Sequence, residues 1–361
     1  MVGASAIPGP AMRGNIENPI GTVQVPLGVA GPLVVHGEHA EGTFYVPLST
    51  TEGAVVRSYE RGMVAVTRAG GAIARVLRDE NRATPAFSFG GVDEATAFAR
   101  ALPELEDELR RAAEATTRHG KLLRVEPRVV GHDVLVSFVF STGDASGMNL
   151  VARATDAACA LLVARFAPVG WSLLSGAEGE KQAGAGVYFG GKGKSAVAGV
   201  RLPATVVRQV LAVEPAAMVA YWRRCVVAQT EVGAVGINGH FANGLAAIFI
   251  ACGQDVANVA NSAVGVLKLE VVEDGALQAS VHLPSLVVAT VGGGTAVGTA
   301  PECLGLLGCI GDGKARRFAE IVVATLLAGE VSFAAALVAG GHVEAHDRYG
   351  RNRSGSSARL G

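Results

Sequence analysis

The segment between residues 85 and 175 constrains the fold more than any other part of the chain. It opens on PAFSF, a short strand pattern. Residues 93–118 (DEATAFARALPELEDELRRAAEATTR) then repeat apolar side chains at helical spacing, with Pro103 as a candidate break. Two alternating runs, KLLRVEPRVV and DVLVSFVFS, flank the dipeptide GH and predict a hairpin. A second helix opens at TGDASGMN and continues to about Phe166, and GWSLLS reads as a closing strand. Strand, helix, hairpin, helix, strand is the order of a ferredoxin-like βαββαβ unit.

This unit reads as an insertion between two halves of a larger, helix-rich domain, so the expected class is α+β. Residues 20–48 read as extended segments with turns, and residues from Thr51 to about Asp79 as helix. The expected boundaries are 1–87 with 172–335 for the larger domain and 88–171 for the smaller. A C-terminal segment, 336–361, follows; its tail beyond Arg348 is basic, rich in Gly and Ser, and expected to be mobile. Half of the residues are hydrophobic and 17% charged, the balance of a well-buried globular protein. A net charge of −1 leaves no broad footprint for nucleic acid or an anionic membrane.

Two uncharged stretches, 232–254 and 275–301, are interrupted by polar, proline or glycine residues and read as buried core, not membrane spans. The start of the chain, MVGASAIPGPAMRGN, lacks a sustained apolar segment, so no signal peptide is expected. The five cysteines are odd in number and scattered, without CxxC. They read as reduced thiols of a cytoplasmic protein, and no metal-ligand spacing emerges from them and the eight histidines.

Several polar residues stand out against this background. Glu52, in STTEG, follows an apolar strand pattern; its plain reading is a charge at a helix start capped by Thr50 or Thr51. Asp144 lies at a helix start between glycines, again a candidate N-cap. Lys181 sits in a loop of small residues. Asp255 ends the apolar run before ACGQD, where an acid at a helix C-terminus opposes the dipole, a misfit that points to function. GGKGKS resembles a phosphate loop, but Tyr188 occupies the place of its first required glycine. TVGGGTAVG lacks GxGxxG spacing, yet its glycines allow a phosphate to approach the backbone. His342 and His346 are four apart without the glutamate of an HExxH motif.

Together these stretches resemble the hydroxymethylglutaryl-CoA reductase family over residues 15–350. The motifs are ENPIGTVQVPLGVAGPL (17–33), VPLSTTEG (46–53), TGDASGMN (142–149), GKGKS (191–195), GINGHFANGLAAIFIACGQD (236–255), LPSLVVATVGGGT (283–295) and GGHVEAH (340–346). The resemblance implies catalytic roles for Glu52, Lys181, Asp255 and His346. It implies a cofactor site at Arg118, Asp144, Gly147, Met148, Asn149 and Gly292, Gly293 and Gly294. Arg118 suits the 2′-phosphate, so NADPH is expected ahead of NADH. Substrate contacts are implied at Ser175, Glu180, Gln182, Arg223, Asn243 and Ser88, with coenzyme A as part of an acyl-CoA substrate. The smaller domain would hold NAD(P)H and the larger the substrate. The resemblance also implies a homodimer or higher oligomer with its site at the interface near ENPIG.

Three departures fall on one task. Ser88 stands where the family has an arginine for the substrate's distal carboxylate, Gln182 where it has a lysine, and the loop from Ser175 to Lys181 is one residue shorter. Losing such cations weakens carboxylate binding. Two enzyme readings stay open: reduction of hydroxymethylglutaryl-CoA to mevalonate, or of another acyl thioester lacking that carboxylate. A catalytically silent CoA- or nucleotide-binding homologue is the alternative from another class.

Overall fold

The computed structural model of the chain describes residues 7–340; His342, His346 and the tail lie outside the described residues. The first half comprises β1 (Leu27–Gly37), β2 (Glu41–Ser49), α1 (Val55–Arg68), β3 (Ala72–Ala83), β4 (Ala86–Ser88), α2 (Val92–Glu114), β5 (Lys121–Val130), β6 (Asp133–Ser141), α3 (Met148–Phe166) and β7 (Gly170–Ser172). The second comprises β8 (Gly193–Leu202), α4 (Ala204–Val206), α5 (Pro215–Glu231), α6 (Phe241–Ala251), α7 (Val259–Ser262), β9 (Val266–Val271), β10 (Leu277–Leu286), α8 (Ala300–Leu306) and α9 (Lys314–Val338).

The smaller body is a sheet ordered β7–β4–β6–β5, all antiparallel, the ferredoxin-like arrangement. Its core joins Phe87, Val136 and Phe138 of the sheet to Phe98 and Leu109 of α2 and Leu162 of α3. Pro103 lies inside α2 without ending it. β4 spans the 87/88 boundary, and β7 is shorter than GWSLLS implied.

The larger body holds more sheet than its sequence announced. Its strands run β2–β1–β3–β8–β10–β9, antiparallel except for β1 against β3. The helix expected from Thr51 to Asp79 stops at Arg68 because Gly70 and Gly71 both take positive φ. Beyond them β3 begins, pairs with β8, and carries Asn81–Ala83 onward into pairing with β6 of the smaller sheet. One strand thus serves both sheets.

α9 is the centre of the larger core, with buried residues around its whole circumference, as expected of a helix apolar all round. Among the described residues it alone is long and apolar enough to cross a membrane, but 78% of its apolar window is buried inside the protein. Two glutamates interrupt it and both are used as caps. Glu320 accepts hydrogen bonds from the backbone N–H groups of Glu38, His39 and Ala40 in the β1–β2 turn. Glu330 accepts from those of Gly239 and His240 at the start of α6. Burial pushes the Glu330 carboxyl up to about 7 against these donors.

Candidate active site

Lys181 and Asp255 come together. The Lys181 Nζ lies 2.8 Å from Asp255 Oδ2, with both side chains about half exposed. Their hydrogen bond holds the ammonium above the ordinary lysine pKa. Asp255 is not the dipole misfit its sequence position implied. α6 ends at Ala251, the chain turns through Gly253, and Asp255 caps the next helical turn by accepting from Ala257 N–H at 3.1 Å. An acid at that N-terminus is favoured.

The backbone of Lys181 is left-handed, with φ +57°. Its N–H donates to Asn261 Oδ1 at 3.1 Å, and Asn261 Nδ2 donates to Ser285 Oγ at 3.1 Å. Ser285 Oγ donates to the carbonyl of Lys192 at 2.6 Å, and Lys192 Nζ pairs with Glu180 Oε2. These four partners close a ring behind Lys181. Lys192 and Ser285 lie in the family-like stretches GKGKS and LPSLVVATVGGGT but are not among the site residues the resemblance implies, and Asn261 lies outside every such stretch. The second lysine of GKGKS, Lys194, pairs with Asp79 and is also buried.

Glu52 is exposed and sits ahead of α1, whose N-cap is Ala54 and whose first turn holds no acid. It is therefore no helix-start charge; the Thr50 hydroxyl accepts from the Glu52 N–H at 3.0 Å instead. Within one chain Glu52 is not among the groups bonded to Lys181 or Asp255.

Asp144 is a cap, but of a helix far away in sequence. Its carboxylate accepts from Gly313 N–H at 2.6 Å and Ala315 N–H at 2.9 Å, at the N-terminus of α9. Its own carbonyl accepts from Thr290 N–H at 3.0 Å, which joins the Asp144 loop to the glycine loop. That glycine loop meets the Asp255 loop: a Cβ on Gly294 would lie 2.6 Å from the Gly253 carbonyl oxygen.

A dinucleotide fits the residues at this junction. Gly292 and Gly293 have positive φ and open space where a Cβ would stand. Gly147 is the N-cap of α3 in a left-handed conformation and makes no side-chain cap, so that helix start has N–H groups of the kind that suit an anion. Met148 and Asn149 form that first turn, Asn149 exposed. Arg118 is exposed two residues before Gly120, which packs against Leu150 of the same turn.

The expected substrate residues are more scattered. Ser175 Oγ donates to the carbonyl of Thr84 at 2.7 Å. Ser88 lies at the other end of β4 and donates to Asp133 Oδ1 at 2.6 Å. Gln182 and Arg223 are exposed. Asn243, in the first turn of α6, bonds His240 Nδ1 at 3.2 Å. Glu180 points inward at Lys192, not outward.

A lysine ammonium held by a carboxylate, beside a glycine-lined junction of two bodies in an α+β chain, is a group with the chemistry to polarise a carbonyl. Residues 4–351 match the hydroxymethylglutaryl-coenzyme A reductase family, and the chain belongs to it, as an oxidoreductase. It is 44% identical over 343 residues to the 3-hydroxy-3-methylglutaryl-coenzyme A reductase of Methanothermobacter thermautotrophicus, covering 94% of this chain and 86% of that one. It is 40% identical over 356 residues to that of Haloferax volcanii, covering 97% and 88%. Its fold is similar to that of the class II enzyme from Streptococcus pneumoniae bound to NADPH in open conformations. The TM-score there is 0.75 at 20% identity, over 91% of this chain and 89% of that one.

Proposed function

We propose that the chain reduces hydroxymethylglutaryl-CoA to mevalonate, using two NADPH, with Lys181 and Asp255 at the reacting carbonyl. The observation that carries this is the 2.8 Å ion pair at the junction of the two bodies, in a chain whose relatives bear that enzyme's name. Those relatives do not favour an altered thioester or a silent homologue.

Gly147, Met148, Asn149, Arg118 and the loop of Gly292–Gly294 would hold the dinucleotide, with Asp144 bracing their loop. Bound there, NADPH supplies the hydride for both reductions. Lys181 stabilises the negative charge that builds on the thioester oxygen, and Asp255 keeps it charged. His346 protonates the departing thiolate, and Glu52 gives the alcohol its proton. Ser175, Gln182, Arg223 and Asn243 are the substrate-side candidates, and Ser88 marks where the family's carboxylate-binding cation is missing.

A second copy of the chain completes the site. In support, the catalytic pair is half exposed, and Ile20 of ENPIG is exposed at 66%, with Ile16 and Val23 on either side of the motif at 51% and 92%. The five free thiols suit a reducing cytoplasm. The test is NADPH oxidation with hydroxymethylglutaryl-CoA. Lys181→Ala should lose at least ~10² in turnover. Near-normal turnover in that variant would end the mechanistic reading, and a fully active monomer would end the shared site.

A further inference from the structure

We propose that Glu180 and Lys192 position Lys181 from behind, as a buried brace, and that Glu180 is not a substrate contact. The inference rests on the catalytic reading of Lys181 above.

A residue other than glycine held at φ +57° is strained. Such a conformation persists only where its surroundings over-determine it. Here they do so from both sides. The Lys181 N–H is held by Asn261, and the preceding residue is held through the Glu180–Lys192 pair. Ser285 links the two restraints by accepting from Asn261 and donating to the Lys192 carbonyl. Asn261 and Ser285 are fully buried, and the Lys192 and Glu180 side chains are 1% and 7% exposed, whereas that of Lys181 is 45% exposed. The ring is a dry, rigid footing under an accessible ammonium.

A buried ion pair of this kind contributes little net stability compared with neutral groups of similar shape. Its geometric consequence is larger, because a displacement of about 1 Å at a reacting group can lower turnover ~10²-fold. Lys192 reaches further: its Nζ also contacts Met148 Sδ, in the loop proposed to hold the dinucleotide. One buried ammonium therefore touches both the catalytic-lysine loop and the cofactor loop. Burial pushes the Lys192 pKa down, and its hydrogen bond to Glu180 works against that shift.

The experiment compares Glu180→Gln and the double variant Glu180→Gln with Lys192→Met. Both remove the ion pair while nearly keeping its volume. Folding is checked by circular dichroism and thermal unfolding, and kcat and KM are measured with hydroxymethylglutaryl-CoA and NADPH. The brace predicts folded proteins whose kcat falls at least tenfold while KM for the thioester stays within about threefold. A rise in KM with kcat retained would make Glu180 a substrate contact and overturn the proposal. Wild-type kcat in either folded variant overturns it, and so does unfolding of both, which would assign the pair to the fold alone. Lys181→Ala in the same assays separates the two ideas. Near-normal turnover there removes the catalytic reading itself; full loss there, with wild-type kcat in the Glu180 variants, removes only the brace.

Discussion

Gly253→Ala tests whether the close approach of two loops sets the active-site geometry. Gly253 lies two residues before Asp255 and has φ +62°. A Cβ there would stand 2.2 Å from the Gly294 carbonyl oxygen and 2.6 Å from its carbonyl carbon. Both atoms are backbone, so no side chain can swing aside. Ordinary contact requires the loops to part by about 1 Å. The left-handed backbone adds about 1 kcal/mol for alanine over glycine, and overpacking about 1–3 kcal/mol more. A parting of this size would stretch the 2.8 Å bond between Asp255 and Lys181 past hydrogen-bonding range. The expected outcome is a fall in kcat of ~10²-fold with a modest loss of thermal stability. Gly275→Ala is the control: its φ of +79° carries similar strain, but nothing lies within 4 Å of a Cβ there. Turnover should survive in Gly275→Ala and collapse in Gly253→Ala, measured by NADPH oxidation. Equal activity in the two variants would refute the idea that loop contact positions Asp255.

Asp144→Ala removes the carboxylate that accepts from Gly313 and Ala315 at the start of α9. It should cost about 1–2 kcal/mol of stability and raise KM for NADPH, read by thermal unfolding and steady-state kinetics; unchanged values would show that the cap does not hold the cofactor loop. For Glu330 the native pKa of about 7 lies above the ordinary 4.5, so between those values the native state keeps a proton that the unfolded chain has lost. This contribution to stability is full below about 4.5 and is lost as pH rises toward 7. Glu330→Gln should flatten that part of the stability–pH curve, and an identical slope in both proteins would contradict the assignment.

Local periodicity made much of the architecture legible. The βαββαβ order of the smaller body follows from apolar spacing between residues 85 and 175, because strands and helices bury alternate or every third-to-fourth side chains whatever surrounds them. The glycines and acids of the candidate site could be named for the same reason: their residue types restrict what each position can do. Sequence spacing failed where a segment's partners lie far along the chain. Residues 72–79 read as helix, yet β8 and β1 take them into a sheet. Helical order ended at Gly70 and Gly71, and pairing with distant strands decided the rest.

The same distance separates what each polar residue could do from what it does. Asp144 read as a candidate cap and Asp255 as a misfit at a helix end, and both became caps. Which helix Asp144 serves depends on α9, 169 residues away at the nearest bond, and packing alone brings it there. Lys181 could be picked out as a candidate cation. Its ring of Asn261, Ser285, Lys192 and Glu180 could not, since those residues draw on four separate segments and only burial forces their polar atoms to satisfy one another. Sequence by itself determined the elements set by local periodicity, those of the smaller body above all, and which residues carry usable chemistry, since both depend on neighbours within a few positions. Tertiary structure alone decided which of those residues meet, because each meeting is a hydrogen bond or ion pair between groups that only the closed core holds within 3 Å or so.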